Sequence, residues 1–131
     1  MTVADLRQWF VRRIYANQND SPAVKRTLDE LLRGMPDAGT GLNVGAGDTR
    51  LDSRLVNIDL FAGPDVRVLA NGVRLPFRGA SFDLVVSQEA VEHMNDPFAA
   101  VEEMGRVLRS GGRLYLQVPF IIGYHPNPTN F

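Results

Sequence analysis

Along the chain, apolar positions first recur at helical spacing and then gather into short runs. Val3, Leu6, Phe10 and Ile14 stand three and four residues apart, with Thr2 able to cap and Asp5 suited to the first turn, so residues 3 to 16 predict an amphipathic helix. Ser21-Pro22 reads as an N-cap and first-turn proline, Val24, Leu28, Leu31 and Leu32 form an apolar stripe, and Gly34 with Pro36 closes a second helix. Five apolar runs follow, at 42–44, 55–58, 66–69, 82–86 and 114–118. They do not alternate between apolar and polar, which points to strands covered on both faces. A further helix lies between the fourth and fifth runs. Asn95 or Asp96 caps it, Pro97 fits its first turn, Val101, Met104 and Leu108 form its inner stripe, Glu102 can pair with Arg106, and Gly111-Gly112 ends it. Strand, helix and strand in that order make a right-handed crossover unit. The predicted fold is α/β: a Rossmann-like, doubly wound, mainly parallel sheet of about five strands with helices on both faces. Residues 1–38 form a helical lead and 39–131 the sheet domain, within one domain in total.

Composition narrows the function classes. With 131 residues the chain can bury one continuous core, and 44% hydrophobic and 22% charged residues exclude disorder. A net charge of -1 gives no global field for nucleic acid or an anionic membrane. The nearest basic cluster, Arg7, Arg12, Arg13, Lys25 and Arg26, is spread along two helix-like segments that also carry Asp and Glu, and reads as solvated helix face. Cysteine is absent, so there is no disulfide framework, thiol nucleophile or thiolate metal site, and no apolar run approaches the ~20 residues of a membrane span. The expected compartment is the cytoplasm, with neither nucleic acid nor membrane as partner.

The string LNVGAGDT places Gly45 and Gly47 directly after the first strand, where main chain must pass close to a ligand or turn sharply without one. Asp59 ends the next strand, in position to accept hydrogen bonds from ribose hydroxyls. A dinucleotide and S-adenosylmethionine then compete. A pyrophosphate wants free amide donors, no nearby anion and a third glycine. Here the third glycine is missing, and Asp48 adds a carboxylate that repels phosphate and tolerates a sulfonium. About a dozen residues separate Gly47 from Asp59, against the ~20 of a dinucleotide fingerprint, so the connection has room for a turn or a very short helix. The methyl donor is favoured over NAD.

At this point the chain resembles the class I S-adenosylmethionine-dependent methyltransferases of small-molecule type. The resemblance covers residues 40 to 131 through LNVGAG, VNIDL, NGVRLPF, SFDLVVSQEAVEHMNDP and EEMGRVLRSGGRLYLQVPF, in that order. It implies S-adenosyl-L-methionine as cofactor. Gly45, Ala46 and Gly47 would line its methionine end, with Asn43 just before them. Asp59 would hold the ribose beside Leu60, and Asn71, Gly72 and Val73 would sit near the adenine. Ser87 and Gln88 would face the methionyl and sulfonium region, and Leu75, Pro76 and Phe77 would shape a wall. Three positions depart from the common pattern: Asn43 for an acid, Thr49 for a third glycine and Ser110 for a proline. An amide at Asn43 or Asn71 still hydrogen-bonds but loses the charge-assisted part.

Transfer of an already activated methyl group needs positioning and water exclusion more than a dedicated base. His93, in VEHMNDP, is the candidate catalytic residue, either deprotonating an acceptor or orienting the pocket. His125 and Tyr124 lie in the Pro- and Asn-rich stretch GYHPNPTNF, expected to be loop or lid. Two distant histidines without cysteine predict no metal site.

The resembled family's sheet continues past the fifth strand, whereas this sequence ends at Phe131, so the fold is expected to be incomplete at its C-terminus. Its fifth strand would be an apolar edge, which a partner chain, a homodimer or the terminal loop is expected to cover. The expected function is methyl transfer to an unidentified, small-molecule acceptor. The alternative is a truncated or degenerate domain that binds cofactor or a partner without turnover.

Overall fold

The computed structural model describes residues 2, 3, 5, 6 and 18–119. The body of the first predicted helix, the stretch holding Tyr124 and His125, and the terminal loop expected over the fifth strand lie outside the described residues. The chain divides into two compact units, Met1–Glu30 and Leu31–Phe131. In the first unit Thr2 and Asp5 cap each other: the Asp5 amide donates to Thr2 Oγ1 at 3.1 Å, and the Thr2 amide and hydroxyl each donate to Asp5 Oδ2 at 2.7 Å.

Helix α1 (Pro22–Arg33) starts at its proline, where the missing N–H costs nothing, and carries Arg33 in its last turn, where a cation suits the helix dipole. Its stripe follows the predicted spacing: Leu28 and Leu32 are buried, Val24 and Leu31 half-buried.

The second unit is built on strands β1 (Gly41–Val44), β2 (Leu55–Asp59), β3 (Val68–Leu69), β4 (Phe82–Gln88) and β5 (Leu108–Gln117), with α2 (Pro97–Val107) between the last two. All neighbours pair in parallel, in the order β3-β2-β1-β4-β5. This agrees with the predicted Rossmann-like α/β sheet, and it explains the unalternating apolar runs. Every residue of β1 is buried, as are five of the seven in β4, because these central strands are covered on both faces. Leu42, Val44, Ile58, Phe82 and Val85 of the sheet pack with Ala100, Met104 and Val107 of α2. The link from β1 to β2 contains turns and no helix, as its length requires.

Three local expectations are corrected. Gly111 and Gly112 do not end the helix. Leu108 is already extended (φ -71°, ψ 139°) and pairs with Phe82, and the next partners are Leu84 and Arg113. One residue of β4, Asp83, thus opposes four of β5, and Gly111 takes up the irregularity at φ 79°. Secondly, Arg106 pairs with Glu103 rather than Glu102, because Glu103 also accepts the Leu75 amide at 2.7 Å and so is held where the guanidinium reaches it. Lastly, only Val68–Leu69 of the third apolar run pair as strand. Asp96 proves to be the cap of α2, its Oδ1 accepting the Ala99 amide at 2.9 Å.

Strand β5 is one of the two outer strands of the described sheet, and Leu114 and Leu116 on it are 37% and 39% exposed. No helix among the described residues is long and apolar enough to cross a membrane.

Candidate functional site

The segments that follow the carboxyl ends of β1, β2, β3 and β4 line a cavity of about 490 Å³. Parallel sheets place ligand crevices at that end because neighbouring connections diverge there. Leaving β1, the amides of Gly45 and Ala46 both donate to Ile58 O at 3.0 Å, which folds the loop back over the end of β2. Gly45 adopts φ 70°, and a Cβ there would collide with the Cβ of Ala90. Glycine is therefore required twice over, by conformation and by the close approach of the loop after β4. Gly47 also has positive φ, 52°, but a Cβ on it would meet nothing within 4 Å: its bare main chain faces open space.

Asp59 joins two of these loops. Its Oδ2 accepts the Gly47 amide at 2.9 Å and its Oδ1 accepts the Phe61 amide at 3.0 Å. Each carboxylate oxygen retains a lone pair for a further donor. Asn71 shapes the next segment, its Oδ1 accepting the Val73 amide at 3.1 Å in a local side-chain turn. Gly72 lies against Met94 and Val44, with Met94 Cε 2.6 Å from where a Cβ would be.

The turn Leu75–Phe77 is fixed from α2. Arg106 donates from Nη1 to Phe77 O at 2.9 Å and from Nη2 to Leu75 O at 3.1 Å, while its guanidinium grips Glu103. Arg106 chiefly, helped by the Leu75 amide, holds the Glu103 carboxyl down to about 2. Phe77 then meets Phe82 edge to face, ring centroids 5.1 Å apart.

After β4 the chain turns sharply at Glu89, whose φ of 50° is uncommon for a residue with a side chain. Ala90, a single 3-10 turn at Val91–His93, Met94 and Asn95 complete this side of the cavity. His93 lines it with a side chain 16% exposed, its Nε2 3.9 Å from Glu92 Oε1.

Of the residues singled out from the sequence, the structure brings Gly45, Gly47, Asp59, Leu60, Asn71, Gly72 and His93 to one cavity wall. Asn43, Ala46, Val73, Ser87 and Gln88 do not line it. Asn43 is buried and donates from Nδ2 to Asn57 Oδ1 at 3.2 Å, and Asn57 in turn donates to Thr49 O at 3.1 Å. Its amide thus anchors the far end of the loop. Ala46 is buried beneath that loop, Val73 packs against the core, Ser87 is fully buried, and Gln88 donates to Gln117 Oε1 at 3.2 Å. Asp48 also stands away from the cavity wall, exposed, with its carboxylate beside Gly63. Sequence reasoning missed Val44, Phe61 and Ala70 on one side and Glu89, Ala90, Met94 and Asn95 on the other. Glu89 and Met94 stood within the SQEAVEHM string, but only the turn after β4 shows that they face the cavity. Among the described residues no three His, Asp or Glu side chains gather as metal ligands.

The parallel sheet order, with a glycine loop and an acid at adjoining strand ends, is Rossmann-like. A family described as "Methyltransferase domain" matches residues 37–116, and the chain belongs to that family. An O-methyltransferase of Aspergillus nomiae is 35% identical over 89 residues, 68% of this chain and 40% of its own length. The 27-O-demethylrifamycin SV methyltransferase of Amycolatopsis mediterranei is 45% identical over 47 residues, 36% of this chain and 17% of its own. The chain thus spans well under half the length of these curated relatives. Among solved structures, the 1,6-didemethyltoxoflavin-N1-methyltransferase of Burkholderia thailandensis, with bound 1,6-didemethyltoxoflavin and S-adenosylhomocysteine, superimposes with a TM-score of 0.60 at 22% identity. The match covers 85% of this chain and 60% of that one, a likeness of fold.

Proposed function

We propose that this chain carries the donor site of an S-adenosylmethionine-dependent methyltransferase acting on a hydroxyl of a small molecule. The observation that carries the reading is the Asp59 carboxylate, tied to the Gly47 main chain at the edge of a cavity. The residues present fit the donor. A volume of about 490 Å³ falls within the ~300–1,000 Å³ of small-molecule sites. The bare face of Gly47 leaves room for a ligand against main chain, and Asp59 keeps acceptor capacity for paired hydroxyls.

In this reading Asp59 holds the ribose, Leu60, Asn71 and Gly72 border the adenine, and Gly45 and Gly47 border the methionyl end. When bound, S-adenosylmethionine supplies a methyl group activated by its positively charged sulfur. The chain orients the donor and excludes water. His93, on the same wall, is proposed to orient the acceptor hydroxyl or take its proton at an imidazole nitrogen. The names of the fungal and actinobacterial relatives support oxygen as the target atom and a small molecule as the acceptor.

Calorimetry with S-adenosylhomocysteine tests the site. The reading expects micromolar binding that weakens at least tenfold in Asp59→Asn; no binding at millimolar ligand would reject it.

A further inference from the structure

We propose that Glu89 is a specificity determinant of the cavity, favouring the cationic methyl donor over its neutral demethylated product. The inference rests on the donor-site reading above. Two carboxylates line the cavity, and they stand on opposite sides of it: Asp59 ends β2 and Glu89 follows β4, with β1 and its glycine loop between. They differ in what they hold. Both oxygens of Asp59 already accept main-chain amides, which offset part of its charge. Glu89 accepts the Gln117 side-chain amide at 3.2 Å, and no lysine or arginine lines the cavity among the described residues. Among the described residues of its wall, the one imidazole is that of His93.

Glu89 is also held in place at a conformational cost. Its φ of 50° lies in the left-handed region, and its amide donates to Gln117 O at 2.8 Å. The Gln117 side chain is held from the other side: its Oε1 accepts both Gln88 Nε2 at 3.2 Å and the Tyr115 hydroxyl at 3.0 Å, while its Nε2 donates to Glu89 Oε1 at 3.2 Å. Three side chains from β4 and β5 thereby fix one carboxylate at the cavity edge. A ligand with hydroxyls at Asp59 that extends across the Gly45 loop towards Glu89 brings its sulfur, bonded to C5′ of the ribose, into the field of that carboxylate. S-adenosylmethionine carries one more positive charge there than S-adenosylhomocysteine, so the same contact separates donor from product.

The test is calorimetric titration of the whole chain and of Glu89→Gln with S-adenosylmethionine and with S-adenosylhomocysteine, at low and at high salt. Wild type is expected to bind the donor more tightly than the product. The substitution, which keeps shape and removes charge, is expected to weaken the donor about tenfold and leave the product within about twofold. The wild-type preference should shrink with added salt. Glu89→Gly, which relieves the left-handed φ, should reproduce the loss and guards against a folding effect of the first variant. Equal weakening of both ligands, or none, in variants that melt cooperatively overturns the proposal while leaving the donor site standing. A wild-type chain that binds neither ligand overturns the donor-site reading and this proposal with it.

Discussion

The two glycines of the first loop make the sharpest demand on the structure, because the same substitution should do different things two residues apart. In Gly45→Ala the new methyl meets the Cβ of Ala90 while the backbone stays at φ 70°. Left-handed backbone costs an alanine about 1–2 kcal/mol, and forcing a methyl into occupied space costs about 1–3 kcal/mol more. The sum is about 2–5 kcal/mol, a large part of the stability of a domain this size. In Gly47→Ala the backbone cost remains, but the Cβ finds nothing within 4 Å, so the loss should stay near 1–2 kcal/mol. Urea unfolding followed by circular dichroism measures both. With a urea slope of about 2 kcal/mol/M, Gly45→Ala should lower the midpoint by roughly 1–2.5 M and Gly47→Ala by clearly less. Affinity for S-adenosylhomocysteine should rank differently, since Gly47→Ala places its methyl on the cavity side while retaining most of the stability. If Gly45→Ala is as stable as Gly47→Ala, the close approach of the two loops is wrong, and with it the way the cavity is closed.

Further outcomes follow from polar links between distant parts of the chain. Glu103→Gln should destabilise the chain by about 1 kcal/mol at pH 7 by weakening the grip on the Leu75–Phe77 turn, a figure reduced for solvent screening. Because the folded carboxyl is depressed from 4.5 to about 2, its contribution is fully present above pH 4.5 and fades as pH falls towards 2. The stability gap between wild type and Glu103→Gln, measured in urea, should therefore close across that window. Asn57→Ala removes the acceptor for Asn43 Nδ2 and one donor to Thr49 O, and should cost about 2 kcal/mol in thermal or urea unfolding.

The fold was legible where local pattern and tertiary role coincide. Unalternating runs such as that in β4 identify strands covered on both faces, and Pro22, Asp96 and Pro97 mark helix starts by a chemistry that acts within a few residues. It was least legible where a distant partner decides. Gly111-Gly112 has the composition of a helix terminus, but the pairing of Leu108 with Phe82 turns the chain into strand first and leaves the glycines to absorb an irregularity. Arg106 has two acids within reach on its own helix, and the Leu75 amide, far away in sequence, selects Glu103.

The site divides the same way. Gly45, Gly47 and Asp59 were readable because bare main chain and a strand-ending acid are local signals. Asn43 could be assigned only by its position beside the glycine loop, and its amide turns out to be used internally, with Asn57 and Thr49. Glu89 gave no local sign, since nothing in a glutamate announces a left-handed conformation. Its role emerges only when Gln117 arrives from the neighbouring strand.

The central claim is that a ligand with an adenosyl group seats against the Gly47 main chain and the Asp59 carboxylate. Nitrogen-15 amide shifts during titration with S-adenosylhomocysteine test it at the atoms concerned. The account predicts saturable shifts at Gly45, Gly47 and Phe61, whose amides bind Ile58 O and the two oxygens of Asp59, and little change at Gly111 and Arg113 in the bulged part of β5. Saturating ligand that leaves Gly47 and Phe61 unmoved would contradict it.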